Sequence, residues 1–271
     1  LWNAFFAWTK FCNGCFPKSN SQNIRRNSRC DIGATCIQGG ASAMGIGVGQ
    51  VKVIAIANPA GGVGKTTLSH CLAVAFAEFG KKTLLIDLDP AAQLTFRLGY
   101  ENPRITITEF VSGVKLTEEN LVTTSERFDF IASDSRSVAN LDESSLSQLL
   151  PKLPKDYDLV ILDIPSTLTP ALGAAISAAD QILVPISQSL HSLRGLIQLR
   201  KITDKATTAV AVGEINYEDL SPVLDVAILR SDEVEIAASS NLSVLTVSKS
   251  SEVSESYRSA AYSVLEILGL E

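Results

Sequence analysis

From Val51 onward the apolar positions fall into short runs separated by longer amphipathic stretches. Val51–Ala57, Thr83–Asp87, Phe128–Ala132, Leu159–Asp163 and Gln181–Ile186 are near-continuous apolar runs rather than alternating ones. Such runs predict strands covered on both faces. Helical periodicity lies between or after them, at Leu141–Leu150 and Ser189–Ile202, and Ser254–Leu268 has the spacing of a terminal amphipathic helix. The alternation predicts an α/β fold, a mostly parallel β-sheet with helices on both faces. After the first strand, Leu68, Leu72, Ala75, Phe76 and Phe79 make one helical apolar stripe, and Gly80 is placed to end that helix in a left-handed conformation.

Before Val51 no period is sustained, Gly39-Gly40-Ala41-Ser42-Ala43 reads as linker, and the only methionine is Met44. Residues 1–43 are therefore expected to be a non-native or disordered leader, and 44–271 the folded domain. Cys12, Cys15, Cys30 and Cys36 lie in that leader. A zinc knuckle is the sharper reading of them, but the Cys30–Cys36 spacing is wide and no histidine supports it. Cys71 alone lies in the body, which points to a reducing, cytoplasmic setting without a disulfide framework. Hydrophobic residues make up 46% and charged residues 19%, a globular balance. No apolar run approaches the roughly 20 residues that span a bilayer. The net charge is −6, and Lys10, Lys18, Arg25, Arg26 and Arg29 sit in the leader, so the body is more acidic still. Nucleic acid is then reachable only through a local basic patch.

The chemistry concentrates at Ala60-Gly61-Gly62-Val63-Gly64-Lys65-Thr66-Thr67, which follows a strand and opens a helix. Glycines allow a tight turn that aims N–H groups at phosphates, and the helix N-terminus adds partial positive charge. This spacing predicts binding by Gly61, Gly62, Val63, Gly64, Lys65, Thr66 and Thr67, with Lys65 on the β- and γ-phosphates and the Thr66 hydroxyl on Mg²⁺. Two acidic strand ends complete the prediction. Asp87 and Asp89 close one strand, Asp87 nearer the metal and Asp89 orienting the attacking water; Asp163 closes another beside the metal.

These residues resemble the ParA/MinD group of P-loop ATPases, and ParA most of all. The likeness rests on Asn58–Thr67, Leu84–Pro90 with Gln93 and Thr95, Asp158–Pro165, Ala178–Pro185 and Ser192–Leu196. It implies a P-loop NTPase fold and an ATP-dependent homodimer that hydrolyses ATP to ADP and phosphate. Such a switch partitions plasmids or chromosomes, or positions other cargo, with a ParB-like cargo-bound adaptor, in the cytoplasm, free or associated with the nucleoid. The family's signature lysine, which reaches across the dimer, falls here on Ala60, so a non-hydrolysing or very slow ATP-binding protein is the alternative. The family's strand, helix and strand after Thr203 are compressed here into Ala209–Gly213, a Tyr217–Leu220 turn and Val223–Leu229. An iron–sulfur reductase, a tyrosine kinase and a membrane-bound MinD are disfavoured: Cys71 is alone, Tyr257 and Tyr262 are sparse, and the C-terminus ends acidic at Glu271. DNA contacts are possible through Arg194, Arg200, Lys201 and Lys205, or through Arg230, Lys249 and Arg258, with solvated surface as the equal alternative. His70 and His191 read as structural.

Overall fold

Each predicted apolar run forms a strand in the computed structural model, which describes residues 51–137, 141–167, 169–216 and 220–271. The expectations for the leader, its cysteines, Met44 and the turn at 217–219 lie outside those residues. The strands are β1 (Lys52–Ile56), β2 (Thr83–Asp87), β3 (Val122–Thr123), β4 (Asp129–Ile131), β5 (Leu159–Asp163), β6 (Gln181–Ile186) and β7 (Thr207–Ala211). They form one sheet in the order β3-β4-β2-β5-β1-β6-β7, parallel throughout except for β3 against β4.

Alternation along the strands divides the core in two. Val53, Ala55, Leu84, Ile86, Val160 and Leu162 face one layer of helices, which includes α3 (Ile107–Val111), α4 (Ser145–Leu149), α5 (Pro170–Ala178) and α6 (Leu190–Ile202). Ile54, Ile56, Leu85, Leu159 and Ile161 face the other layer. That layer is made by α1 (Lys65–Glu78), α7 (Glu233–Ala238), α8 (Val244–Val247) and α9 (Glu252–Leu268). A short α2 (Gln93–Arg97) follows β2. Burial on both faces is why the strands carry no polar alternation.

The first helix departs from the single stripe predicted for it. Leu68, Leu72, Ala75 and Phe76 are buried, but so are Ser69, His70, Cys71, Ala73 and Val74, because α9 covers the side away from the sheet. Phe79 is instead 38% exposed and meets Tyr262 edge-on at 6.5 Å. Gly80 does end the helix at φ 79°, with Lys81 N–H donating to the Phe76 carbonyl. A second departure is at Val223–Leu229. Only Val223 and Ile228 bridge, to Ala209 and Val212, and between them the chain leaves the sheet. Asp225 is exposed there, and an exposed carboxylate does not continue a buried parallel strand.

The C-terminal ends of β1, β2 and β5 lie side by side, with Ile56 and Asp87 both in register with Asp163. The chain runs from β1 to one side of the sheet and later to β6 on the other. The loop after β1 therefore sits where the strand order reverses, the place where ligands bind in open α/β sheets.

Candidate functional site

Gly62 and Gly64 have φ of 69° and 90°, a conformation that glycine adopts without strain. Gly64 caps α1 with no side-chain hydrogen bond, and the first turn carries no acidic residue. Its N–H groups are left for an anion. The loop is braced from behind by Asn58, which is buried. Its Oδ1 accepts from the Ala60 N–H at 2.9 Å, and its Nδ2 donates to the carbonyls of Pro185 (2.9 Å) and Ser192 (3.2 Å). Only glycine fits opposite: a Cβ on Gly195 would lie 1.9 Å from Asn58 Oδ1.

Lys65 folds back over its own loop. Its Nζ donates to the Ala60 carbonyl at 2.8 Å and to Ser166 Oγ at 2.7 Å. Burial pulls its pKa down from the usual lysine value, against the opposing charges of Asp163 and Asp89. Thr66 Oγ1 donates to Asp163 at 3.0 Å, and Ser69 Oγ to the other Asp163 oxygen at 2.7 Å.

Asp87 is fully buried. Its oxygens accept from Asp89 N–H (2.9 Å), Thr95 N–H (3.0 Å) and Thr95 Oγ1 (2.7 Å). Burial raises the pKa of both Asp87 and Asp163, and for Asp87 the neighbouring Asp163 charge raises it further. Asp89 is half-buried and accepts from the Ala91 N–H at 2.9 Å.

Lys65, Thr66, Asp89 and Ser166 line one cavity of about 260 Å³. Gly62, Gly64, Thr66 and Thr67 form its floor with them, whereas Asp87 and Asp163 stand behind its wall. Among the described residues no group of three or more His, Cys, Asp or Glu side chains is arranged to hold a metal. The oxygen donors at the site are the Thr66 hydroxyl, backed by Asp163, and the Asp89 carboxylate on the cavity wall. That donor set suits Mg²⁺ completed by phosphate oxygens and water.

A family model described as an AAA domain matches residues 51–213. The chromosome-partitioning ATPase Soj of Thermus thermophilus is 35% identical over 153 residues, covering 55% of this chain and 60% of that protein. The chain belongs to the ParA/MinD-type P-loop ATPase family. It spans about three fifths of the length of the curated relatives it matches first. Among solved structures, the septum site-determining protein MinD of Pyrococcus horikoshii, complexed with Mg-ADP, superposes with a TM-score of 0.69 at 21% identity, over 82% of this chain and 98% of that one. Cobyrinic acid a,c-diamide synthase of Mycobacterium smegmatis, with a bound ATP analogue and magnesium, does so with a TM-score of 0.65 at 26% identity, over 81% and 96%. The fold thus serves proteins of different activities, and the choice among them rests on side chains.

Three features of this family member were not visible in its sequence pattern. Ser166, on the turn after β5, accepts from Lys65 Nζ. A second cavity of about 260 Å³ adjoins the first through Gly62, Gly64 and Thr67, and is walled by Val212, Leu229, Arg230 and Tyr257. Arg97, at the end of α2, enters the phosphate-side cavity.

The two candidate basic patches are partly committed elsewhere. Arg200 donates to the carbonyls of Leu220 and Pro222, Lys205 to those of Ser177 and Ala179, and Arg258 pairs with Glu78. His70 is structural, as expected: its Nε2 meets Glu126 at 2.5 Å. Glu126 also accepts from Ser243 and Thr246, which ties α1 to α8. Among the described residues no helix is long and apolar enough to cross a membrane.

Proposed function

We propose that this chain binds ATP with Mg²⁺ at Gly61–Thr67 and acts as a nucleotide-dependent switch in plasmid or chromosome partitioning, or in positioning another cargo. The observation that carries the reading is the convergence of Lys65, Thr66, Asp89 and Ser166 on one cavity at the uncapped N-terminus of α1. The loop N–H groups hold the phosphates, and Lys65 exchanges the Ala60 carbonyl and Ser166 hydroxyl for phosphate oxygens. Thr66, with Asp163 behind it, holds the metal. Asp87 acts there through its charge beside Asp163 and by fixing the Asp89–Thr95 segment. Magnesium, when bound, neutralises charge on the β- and γ-phosphates. Asp89, at the cavity edge, orients the attacking water in hydrolysis to ADP and phosphate. The second cavity takes the nucleoside.

The same reading assigns an ATP-dependent homodimer, a cargo-bound ParB-like adaptor and a cytoplasmic location, on the strength of relatives such as the Thermus chromosome-partitioning ATPase. DNA contact falls to the residues outside the committed patches, Arg194, Lys201 and Lys249. Ala60 favours a second reading, a protein that binds ATP without hydrolysing it. Calorimetric titration with MgATP tests binding, and phosphate release with and without DNA tests turnover. Binding with turnover lost in Asp89→Ala supports the switch; binding with no turnover under any condition supports the second reading. Absence of ATP binding overturns both.

A further inference from the structure

Ala60 leaves the phosphate-side cavity one cation short of the pattern the resemblance implies, and Arg97 lines that cavity with two unused donors buried behind its surface. Arg97 ends α2 and shares the cavity wall with Lys65, Thr66, Asp89 and Ser166. Its Nε and Nη2 are both buried and have no hydrogen-bond partner. It forms no ion pair among the described residues. Glu235 lines the same cavity but is exposed and makes no such pair. The Arg97 charge also reaches Tyr257 of α9 and the buried Cys71 of α1, so the guanidinium lies toward the α1–α9 side of this cavity.

A buried guanidinium edge without an acceptor is costly, because its water is gone and nothing replaces it. Helix-end cations at the close of a short helix normally donate to the last carbonyls, and these two nitrogens do not. Nε and Nη2 lie along one side of the guanidinium, the edge that makes two parallel hydrogen bonds to a phosphate or carboxylate. Among the described residues no acceptor lies within hydrogen-bond reach of them. A triphosphate seated on the loop extends into the cavity that Arg97 lines, and a rotation of the side chain brings this edge from beneath the wall to the phosphate.

We infer that Arg97 binds the terminal phosphate of the nucleoside triphosphate within the same chain, supplying in cis the positive charge that Ala60 lacks. A cation supplied in cis needs no second subunit, so discrimination between tri- and diphosphate is present in the monomer. The assignment rests on the ATP-binding reading above.

The test is equilibrium titration of the full chain, at a concentration where it is monomeric, with Mg-AMPPNP and with MgADP. Wild type, Arg97→Ala, Arg97→Lys and Lys65→Ala are compared, and each is melted without nucleotide to confirm folding. Two charge-assisted hydrogen bonds to one phosphate correspond to a loss of about tenfold or more on removal. Arg97→Ala is therefore expected to weaken AMPPNP by about tenfold or more and ADP by less than about twofold. Arg97→Lys, which keeps the charge without the fork, is expected to recover part of the AMPPNP affinity. Equal weakening of both nucleotides, or no weakening of AMPPNP, overturns the role of Arg97 alone. Wild type that binds neither nucleotide overturns the ATP reading and this inference with it.

Discussion

The phosphate side and the nucleoside side of this site are built in opposite ways. The phosphate side is made almost entirely by consecutive residues, Gly61–Thr67, plus the ends of adjacent strands. Its recognition groups are backbone N–H vectors set by two positive-φ glycines and a helix start. The second cavity, proposed above for the nucleoside, is assembled from Val212, the 228–235 segment and Tyr257, where α9 packs on α1. Local chain geometry therefore determines the first half, and tertiary packing the second. The first should fail through single local changes, the second by degrees.

The largest expected effect comes from Lys65→Ala, which removes the one ammonium that lines the phosphate cavity among the described residues. Nucleotide affinity should fall by roughly a hundredfold or more, measured by calorimetry, with the fold intact by circular dichroism. An effect under about fivefold would mean that the loop N–H groups alone suffice. Gly195→Ala should come next. Its methyl would collide with Asn58, so a urea midpoint should show a loss of about 1–3 kcal/mol. Nucleotide affinity should drop with it, because Asn58 also holds the Ala60 N–H.

Glu126 tests the other half, since it ties α1 to the α8 segment that leads into α9. Burial pushes its carboxyl up, but hydrogen bonds from His70, Thr246 and Ser243, with the His70 charge, outweigh that and hold it at about 2, below the ordinary 4.5. A depressed carboxylate stabilises fully above its unfolded value and loses that contribution as pH falls toward its folded one. Urea resistance should thus be steady above pH 4.5 and decline between 4.5 and about 2. Glu126→Gln should flatten this decline while lowering stability at pH 7 by about 1.5–3 kcal/mol. The smallest effect should be that of Arg230→Ala, an exposed side chain at the nucleoside wall, changing ATP and ADP affinity alike by about two- to threefold.

The same contrast explains what was legible beforehand. The strands, the α1 cap at Gly80 and the convergence at Gly61–Thr67 follow from short-range patterns, and the sequence carries those openly. Ser166 and Arg97 were not legible, because nothing local distinguishes a serine after β5, or an arginine closing a short helix, from surface residues. Phe79 was misjudged because helical period locates a stripe but not the neighbour that covers it. The Val223–Leu229 strand was expected from apolar content that instead lines the second cavity and makes two isolated bridges.

The 1.9 Å approach between Asn58 and the empty side of Gly195 has a consequence for how this sequence can drift. Neither position is free by itself: a larger residue at 195 is admissible only after Asn58 has shortened, and a shortened residue at 58 leaves Pro185 and Ser192 carbonyls without their donor. The two sites lie 137 positions apart along the chain yet form one steric unit, and neighbours in contact combine non-additively. A library randomised at both should return them as a linked pair, with the single changes depleted and a few double changes retained.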